Sequence, residues 1–553
     1  MNGPLKLIFW FLCHNTAFGQ GIDFQQRLDS LLTTKKYAPN AAGISFCVKH
    51  KGKIVYERCF GLANIKKQIP VTASTKFNMA SITKQFTACC ILILESEGKL
   101  SRADSIQRYL PELPSFGHTI TLNHLLAHSS GIPDHLEVLG LQNNYTRKRL
   151  NPDWVLKFLQ QHPFLSFPPG ERFAYCNTGY MLLSMIVERL SGRSFSEFAE
   201  QRIFGPLQMN QSCIAFREHE GLGDSTLSYY LDKQKLKVES DPEPNAIGAT
   251  GLFGTTRDLM LWQAALDRVV LPKAADSVLR QMQQSYYLND AGSAQYGPGL
   301  ILKPYRGYLS REHAGGWNNF LVQCKGLPEL ELSVIVASNS TANSPFLVCD
   351  QICDLFLPNS ATARPLQTQY AKLLLPPSAF VGTYIDPGNV VRQVKLTQDT
   401  LTLNHFEPSS KSITKLYYQG SQGDSLQLFV DDQRDTVQFK VDRNGRAKGF
   451  YWEGGHYFRY KRYYEKLDDV PSSAIKACAD TYRSKIFAQK LRFSYSTTRQ
   501  RLKMFPVFYK GYALQHIGGL VFKLLDDSIF IRFTPGGLIL GNDWVSGLPF
   551  ERK

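Results

Sequence analysis

The chain has 553 residues, 43% of them hydrophobic, 12% aromatic and 20% charged, a globular composition that excludes a disordered, collagenous or coiled-coil chain. That length has room for several domains of roughly 100–200 residues each and for cores of ordinary size, so folding needs no disulfide or metal staple. The net charge is +16, and no apolar run reaches the ~18–20 residues that cross a bilayer, which excludes a polytopic membrane protein.

The chain opens with Lys6, the apolar run Leu7–Leu12 and then Ala17-Phe-Gly19 before Gln20. A short basic region, an apolar stretch and a small-residue site read as a secretory leader over residues 1–19, cleaved near Gly19. Export to the periplasm or medium is therefore expected. Bulky Phe11-Leu12 ahead of Cys13 makes a poor lipoprotein box. Eleven cysteines are present. Export permits disulfides, but Cys47 sits in an apolar strand, Cys89 and Cys90 in an apolar helix, and Cys349 and Cys353 at helical spacing, so these read as small buried hydrophobes.

Residues 21–357 mix helix and strand. Gly43–Val48 and Lys53–Tyr56 read as a hairpin across His50-Lys-Gly52. Phe77–Gly98 reads as a helix, with Phe86, Cys90, Ile91 and Leu94 at helical spacing and Gly98 as the stop. Thr121 caps a short helix over Leu122–Leu126, and Tyr180–Leu190 is another apolar helix. Leu332–Ala337 is a buried strand, and Phe346–Phe356 a closing helix. Residues 358–376 read as a linker.

Beyond it the texture changes to short alternating runs such as Leu426–Val430 and Thr436–Val441, with Asp442-Arg-Asn-Gly445 as a hairpin turn. Regular short strands predict all-β units over 377–466 and 467–553, either two small β domains or two halves of one barrel. Residues 360–553 carry 28 Lys+Arg against 17 Asp+Glu. With no zinc finger, RNP motif or basic heptad helix, that excess reads as a solvated surface, and no nucleic-acid partner is expected.

Three short patterns carry chemistry: Ser81-Ile-Thr-Lys84, Tyr175-Cys-Asn177 and His313-Ala-Gly315. Each has a decoy in the same chain, namely Ser412-Ile-Thr-Lys415, Tyr287-Leu-Asn289 and His516-Ile-Gly518, with Ser473–Lys476 a looser copy of the first. Context discriminates. Ser81 opens a helix, where Lys84 three residues on shares its face and can reach its hydroxyl. Ser412 lies among strands, where residues three apart point to opposite faces. A serine hydroxyl is a weak nucleophile and needs a base within hydrogen-bond reach. Lys84, desolvated, is one candidate. Tyr175 as tyrosinate is the other, and the sequence leaves both open. Asn177 is expected to hold Lys84 and a substrate amide carbonyl. The His313 strand is expected to be an edge lining a cleft, with small Gly315 and Gly316 letting a substrate backbone approach. The N–H groups of Ser81 and Gly316 are the candidate oxyanion hole. His124, His128 and His135 lack an acidic third ligand at metalloprotease spacing, so no metal is expected, and no phosphate or dinucleotide loop implies a cofactor.

From Gly43 to Thr87 the chain resembles the class C β-lactamase-like serine hydrolases, which include D,D-peptidases, D-aminopeptidases and esterases. The likeness runs through Gly52–Tyr56, Gly61–Asn64, Pro70–Thr72 and Phe77–Lys84. It continues in Ile120–Pro133, Pro168–Gly170, Tyr175–Asn177 and Gly251–Asp258. It implies an α/β (α+β) β-lactamase/transpeptidase-like domain, an antiparallel sheet with flanking helices, followed by an all-β lipocalin-like or small-barrel region. It also implies an acyl-enzyme on Ser81 with a small peptide, β-lactam or ester as substrate. The strand motif opens with His313 where the β-lactamases usually have Lys, so the resemblance is to the D,D-peptidase and D-aminopeptidase members. A carboxylesterase and a weakly catalytic sensor with a basic tail are the alternatives. Replacing Ser81 by Ala is expected to abolish hydrolysis and replacing Ser412 to leave it intact; the opposite result would move the site into the tail.

Overall fold

The computed structural model describes residues 26–32, 39–136, 139, 152–215, 226–232, 235–238, 246–272, 274–275, 277–288, 295–358, 376–385 and, beyond these, the strands within 391–552. The expected leader, residues 359–375 of the expected linker and the Asp442–Gly445 turn lie outside the described residues. Among the described residues no helix is long and apolar enough to cross a membrane.

The first unit is built on a seven-stranded antiparallel sheet whose two ends come from distant parts of the chain. Its strands are β1 (Ile44–His50), β2 (Lys53–Phe60), β5 (Tyr296–Gly297), β6 (Leu300–Tyr305), β7 (Tyr308–Trp317), β8 (Phe320–Leu327) and β9 (Leu332–Ser338). The order across the sheet is β5-β6-β7-β8-β9-β1-β2. The pairing of Ile44 with Ser338 and of His50 with Leu332 joins β1 to β9, so everything between them is a long excursion that returns to the same sheet.

Both faces of β1 and β9 are covered, which is why these strands are buried along nearly their whole length and carry apolar residues on both sides. Phe46, Val48, Val334 and Val336 face one core, with Val348 and Ile352 of the closing helix α5 (Pro345–Leu355). Cys47, Ile335 and Ala337 face the other, larger core. The intervening residue supplies each face because side chains alternate along a strand.

The larger core is centred on α1 (Thr83–Ser96), in which Thr83–Leu94 are all buried. A helix buried all round belongs in the middle of a domain. Several of its buried polar side chains are hydrogen-bonded. The Gln85 side-chain oxygen accepts from the Trp262 indole at 2.7 Å, and the Thr87 hydroxyl donates to the Gly248 carbonyl at 2.7 Å. α3 (Asn177–Ser191) packs on α1, α4 (Thr256–Arg268) meets it through Trp262, and α2 (Leu122–Leu126) packs on α3. Thr121 caps α2 as expected, accepting from the His124 N–H at 3.3 Å.

Two expectations need correction. The helix expected from Phe77 begins at Thr83. Phe77 and Asn78 form a short strand, β3, paired with Phe253 and Gly254 of β4 (Leu252–Gly254), and Ala80–Ile82 is a single 3₁₀ turn. Backbone pairing with β4 wins over helical periodicity there. The His313 strand is interior rather than an edge, since β7 lies between β6 and β8. Its pairs with β6 stop at Glu312, however, while its pairs with β8 run on to Trp317. Ala314–Trp317 thus form an edge within an interior strand.

The cysteines named from the sequence, Cys47, Cys89, Cys90, Cys349 and Cys353, are buried free thiols. The strands after residue 381 close into two eight-stranded barrels, one running from Gly382–Ile385 to Tyr460–Lys466 and one from Thr481–Arg483 to Leu548–Arg552. Truncating Phe46 to Ala should cost about 3–5 kcal/mol in urea unfolding, against within ~0.5 kcal/mol for the exposed Ile54 of β2; similar costs would contradict the placement of the smaller core.

Candidate active site

Ser81 stands on the 3₁₀ turn that feeds α1, and the turn is held from several sides. The Met79 N–H donates to the Leu252 carbonyl at 2.7 Å, and the Ala80 N–H to the Asn78 side-chain oxygen at 2.9 Å. The Thr83 hydroxyl donates to the Ala80 carbonyl at 2.6 Å and accepts from the Leu252 N–H at 3.0 Å. Ala80, just before the serine, has φ +47°, a left-handed conformation that costs a residue with a Cβ on the order of 1–3 kcal/mol. The hydrogen bonds around it hold the strained turn in place.

Lys84 lies one helical turn on, fully buried. Its Nζ donates to the Asn177 Oδ1 at 2.8 Å and to the Ala249 carbonyl at 2.9 Å, and stands 3.1 Å from the Ser81 Oγ. The Tyr175 and Tyr180 rings lie beneath it, with centroids 4.7 and 5.7 Å from Nζ. Burial lowers the amine from its ordinary 10.5 to about 7, and Asp134 opposes that fall. Tyr175 is partly exposed as a residue, but its hydroxyl is enclosed. Burial raises it well above the usual phenol, although a hydrogen bond with Ser81 works the other way.

His313 is buried on β7. Its Nδ1 is 2.7 Å from the Ala314 carbonyl, which can only accept, so Nδ1 carries the proton. Its Nε2 then accepts from the Tyr296 hydroxyl at 3.0 Å. Burial, then the nearby Lys84, lower this imidazole to about 3, so it is neutral at ordinary pH. Its ring centroid lies 6.3 Å from that of Tyr175. The preceding Glu312 is buried between Lys303 and Lys325, at 2.6 and 2.8 Å. Burial alone would raise its carboxyl, but the two ammonium groups outweigh that and hold it at about 2. This charge cluster fixes β7 just ahead of His313.

Gly315 and Gly316 behave differently. A Cβ on Gly315 would stand 2.5 Å from the Met79 carbonyl and 3.2 Å from the Ala80 Cβ, so the strand packs directly on the serine turn. A Cβ on Gly316 would meet only the Leu321 side chain, at 3.5 Å. Ser81, Lys84, Tyr175 and Asn177 therefore meet at one point, with the β7 edge packed against the serine turn. The decoys have no such setting. Ser412 and Lys415 lie on one strand opposite His405 and Thr402, and Tyr287 is 74% exposed.

Four groups were not singled out for this site. The Ala249 carbonyl and Tyr296 carry no sequence signal, and Asp134 follows directly on the Ile120–Pro133 likeness. His128 is the fourth. Its carbonyl accepts from Ala174 N–H at 2.7 Å and its Nδ1 from Cys176 N–H at 2.9 Å, bracketing Tyr175, and its ring packs at a tilt against that of Tyr175 with centroids 4.3 Å apart. His124 belongs to the α2 cap, and His135 Nδ1 lies 3.0 Å from the Thr178 hydroxyl. Among the described residues no group of three His, Cys, Asp or Glu could hold a metal ion.

This is the α/β fold of β-lactamases and transpeptidases, with a serine and a buried amine at its centre. Residues 26–351 match the model of the Beta-lactamase family, and the chain belongs to that family of serine hydrolases. It is 28% identical to penicillin-binding protein 4* of Bacillus subtilis (strain 168), covering 53% of this chain and 67% of that one. It is also 28% identical to a D-aminopeptidase of Gluconobacter oxydans (strain 621H), covering 66% of each. The chain thus spans about two thirds of the length of both. The octameric penicillin-binding protein homologue from Pyrococcus abyssi superposes with a TM-score of 0.55 at 26% identity, over 80% of this chain and 99% of that one.

Gly315→Ala is expected to displace the serine turn and lower turnover about 10²-fold, while Gly316→Ala stays close to wild type; equal losses, measured as kcat on one substrate, would contradict the packing of β7 on Met79.

Proposed function

We propose that the protein is an exported serine hydrolase that cleaves amide bonds of D-amino-acid peptides through an acyl-enzyme on Ser81. The observation that carries this is the environment of the Lys84 amine. Two of its contacts, the Asn177 Oδ1 and the Ala249 carbonyl, can only accept hydrogen bonds. A neutral amine spends its two N–H groups on them, and its lone pair is left for the Ser81 hydroxyl at 3.1 Å. With its pKa lowered to about 7 by burial, Lys84 is a base matched to neutral pH. Tyr175, raised by its enclosure, is a protonated phenol rather than a tyrosinate.

In this mechanism Lys84 takes the Ser81 proton as Oγ bonds to the substrate carbonyl carbon. The N–H groups of Ser81 and Gly316 receive the oxyanion. Tyr175 gives its proton to the leaving nitrogen as the C–N bond breaks, and regains one from the Lys84 ammonium. Water then repeats the sequence in reverse and frees Ser81. Asn177 orients Lys84, and the β7 edge at Ala314–Gly316 pairs with the substrate backbone. His313 is neutral and brings no permanent cation for a substrate carboxylate. That favours substrates with an uncharged group there, D-aminoacyl amides above β-lactams, and agrees with the D-aminopeptidase relative. The two β units are accessory, limiting access to the cleft.

The test is intact mass after brief exposure to a penicillin, beside turnover of D- and L-alanyl p-nitroanilide. The expected result is a wild-type adduct missing from Ser81→Ala, with the D-amide preferred. Turnover that survives Ser81→Ala would refute the nucleophile, and a preference for simple esters would move the reading to an esterase. Activity should fall as pH drops through about 7, because a protonated Lys84 has no lone pair for Ser81.

A further inference from the structure

Asp134 is buried, 9% exposed, and close enough to Lys84 to act on its charge. Its Oδ2 accepts from the Asn177 backbone N–H and, at 3.0 Å, from the Asn177 Nδ2. Its Oδ1 accepts from the Leu136 N–H at 2.8 Å. Asn177 is the first residue of α3, whose preceding Cys176 offers no side-chain cap. A carboxylate from a different segment thus sits at the N-terminal end of α3, where the helix dipole favours negative charge.

The segment around Asp134 is fastened to the same turn of α3. Cys176 Sγ donates to the Ile132 carbonyl at 3.3 Å, the Thr178 hydroxyl donates to the Pro133 carbonyl at 2.9 Å, and the His135 N–H donates to the Thr178 hydroxyl at 2.8 Å. Two consequences follow. An amide whose Nδ2 is bound to a carboxylate must turn its Oδ1 the other way, and here that is toward Lys84 Nζ. A negative charge also lies one side chain from a buried amine, in surroundings where charges act strongly.

We propose that Asp134 is a positioning residue that fixes the Asn177 amide toward Lys84 and, against the effect of burial, favours the protonated form of that amine; this rests on Lys84 being the base. The other groups facing Lys84 carry no opposing charge. His128 and His313 are neutral, burial holding the first well below 6.5 and the second at about 3. Burial lowers His135 to about 4. Tyr175 and Tyr180 are raised by burial, and Cys176 is pushed up to about 12. Among the described groups acting on Lys84, Asp134 is the largest that favours its protonated form, ahead of Cys176.

The experiment compares the pH dependence of kcat for p-nitrophenyl acetate in wild type, Asp134→Asn and Asp134→Ala, with thermal unfolding as the check on folding. Removing the anion disfavours protonated Lys84, so the acidic limb should move to lower pH in both variants. Asn keeps an acceptor for Asn177 and should hold kcat on the alkaline plateau within about tenfold of wild type. Ala loses the acceptor and should lose about 10²-fold in kcat with KM little changed. A wild-type limb that neither folded variant moves, or that moves upward, would overturn the proposal alone. A wild-type profile flat through pH 7 would overturn the base assignment and this proposal with it.

Discussion

Lys84 is carried into the core by α1, whose residues Thr83–Leu94 are all buried. Two carbonyl oxygens, from Asn177 and Ala249, take its N–H groups, and Ser81 takes the third direction. Burial sets the proton affinity of the amine, and the same burial sets its geometry. A solvated lysine at this position would be a surface cation, and the serine beside it an ordinary hydroxyl. The rest of the domain can be understood as the means of keeping one amine dry, oriented and within reach of one serine.

The sheet supplies the frame. Because β1 pairs with β9, the long excursion from Lys53 to Leu332 begins and ends on one rigid surface, and the helices that carry the site pack against it. The β7 strand contributes twice. Glu312, clamped by Lys303 and Lys325, anchors it, and Gly315 lets it lie against the Met79 carbonyl. That close approach is what supports the left-handed Ala80 and aims Ser81. His128 does the same for Tyr175, bracketing it by two hydrogen bonds from backbone N–H groups and packing at a tilt against its ring.

Much of this was legible in the residues. Ser81 and Lys84 were separable from Ser412 and Lys415 because helix and strand put residues three apart on the same or opposite sides, and the register of the second pair on its strand agrees. Capping by Thr121 and the buried strand over Leu332–Ala337 followed from local pattern alone. What the pattern missed came from long-range contact. The start of α1 was misread because Phe77 and Asn78 pair with Gly254 and Phe253, far along the chain, and β-pairing of that kind leaves no periodic trace. The edge character of β7 was half right, since it depends on where β6 stops. A backbone carbonyl such as Ala249 has no sequence signature. Asp134 did, one residue past a recognised segment, but its meaning depends on Asn177, 43 residues on.

The two open readings of the base differ in a physical quantity, the protonation of a single amine. The most direct test is a pH titration of the Lys84 ε-methylene by carbon-13 NMR in the folded protein, assigned by the signal lost in Lys84→Arg. The account predicts a midpoint near 7. A midpoint near the ordinary 10.5 would mean that Lys84 is a permanent cation at working pH, and would contradict its assignment as the base for Ser81.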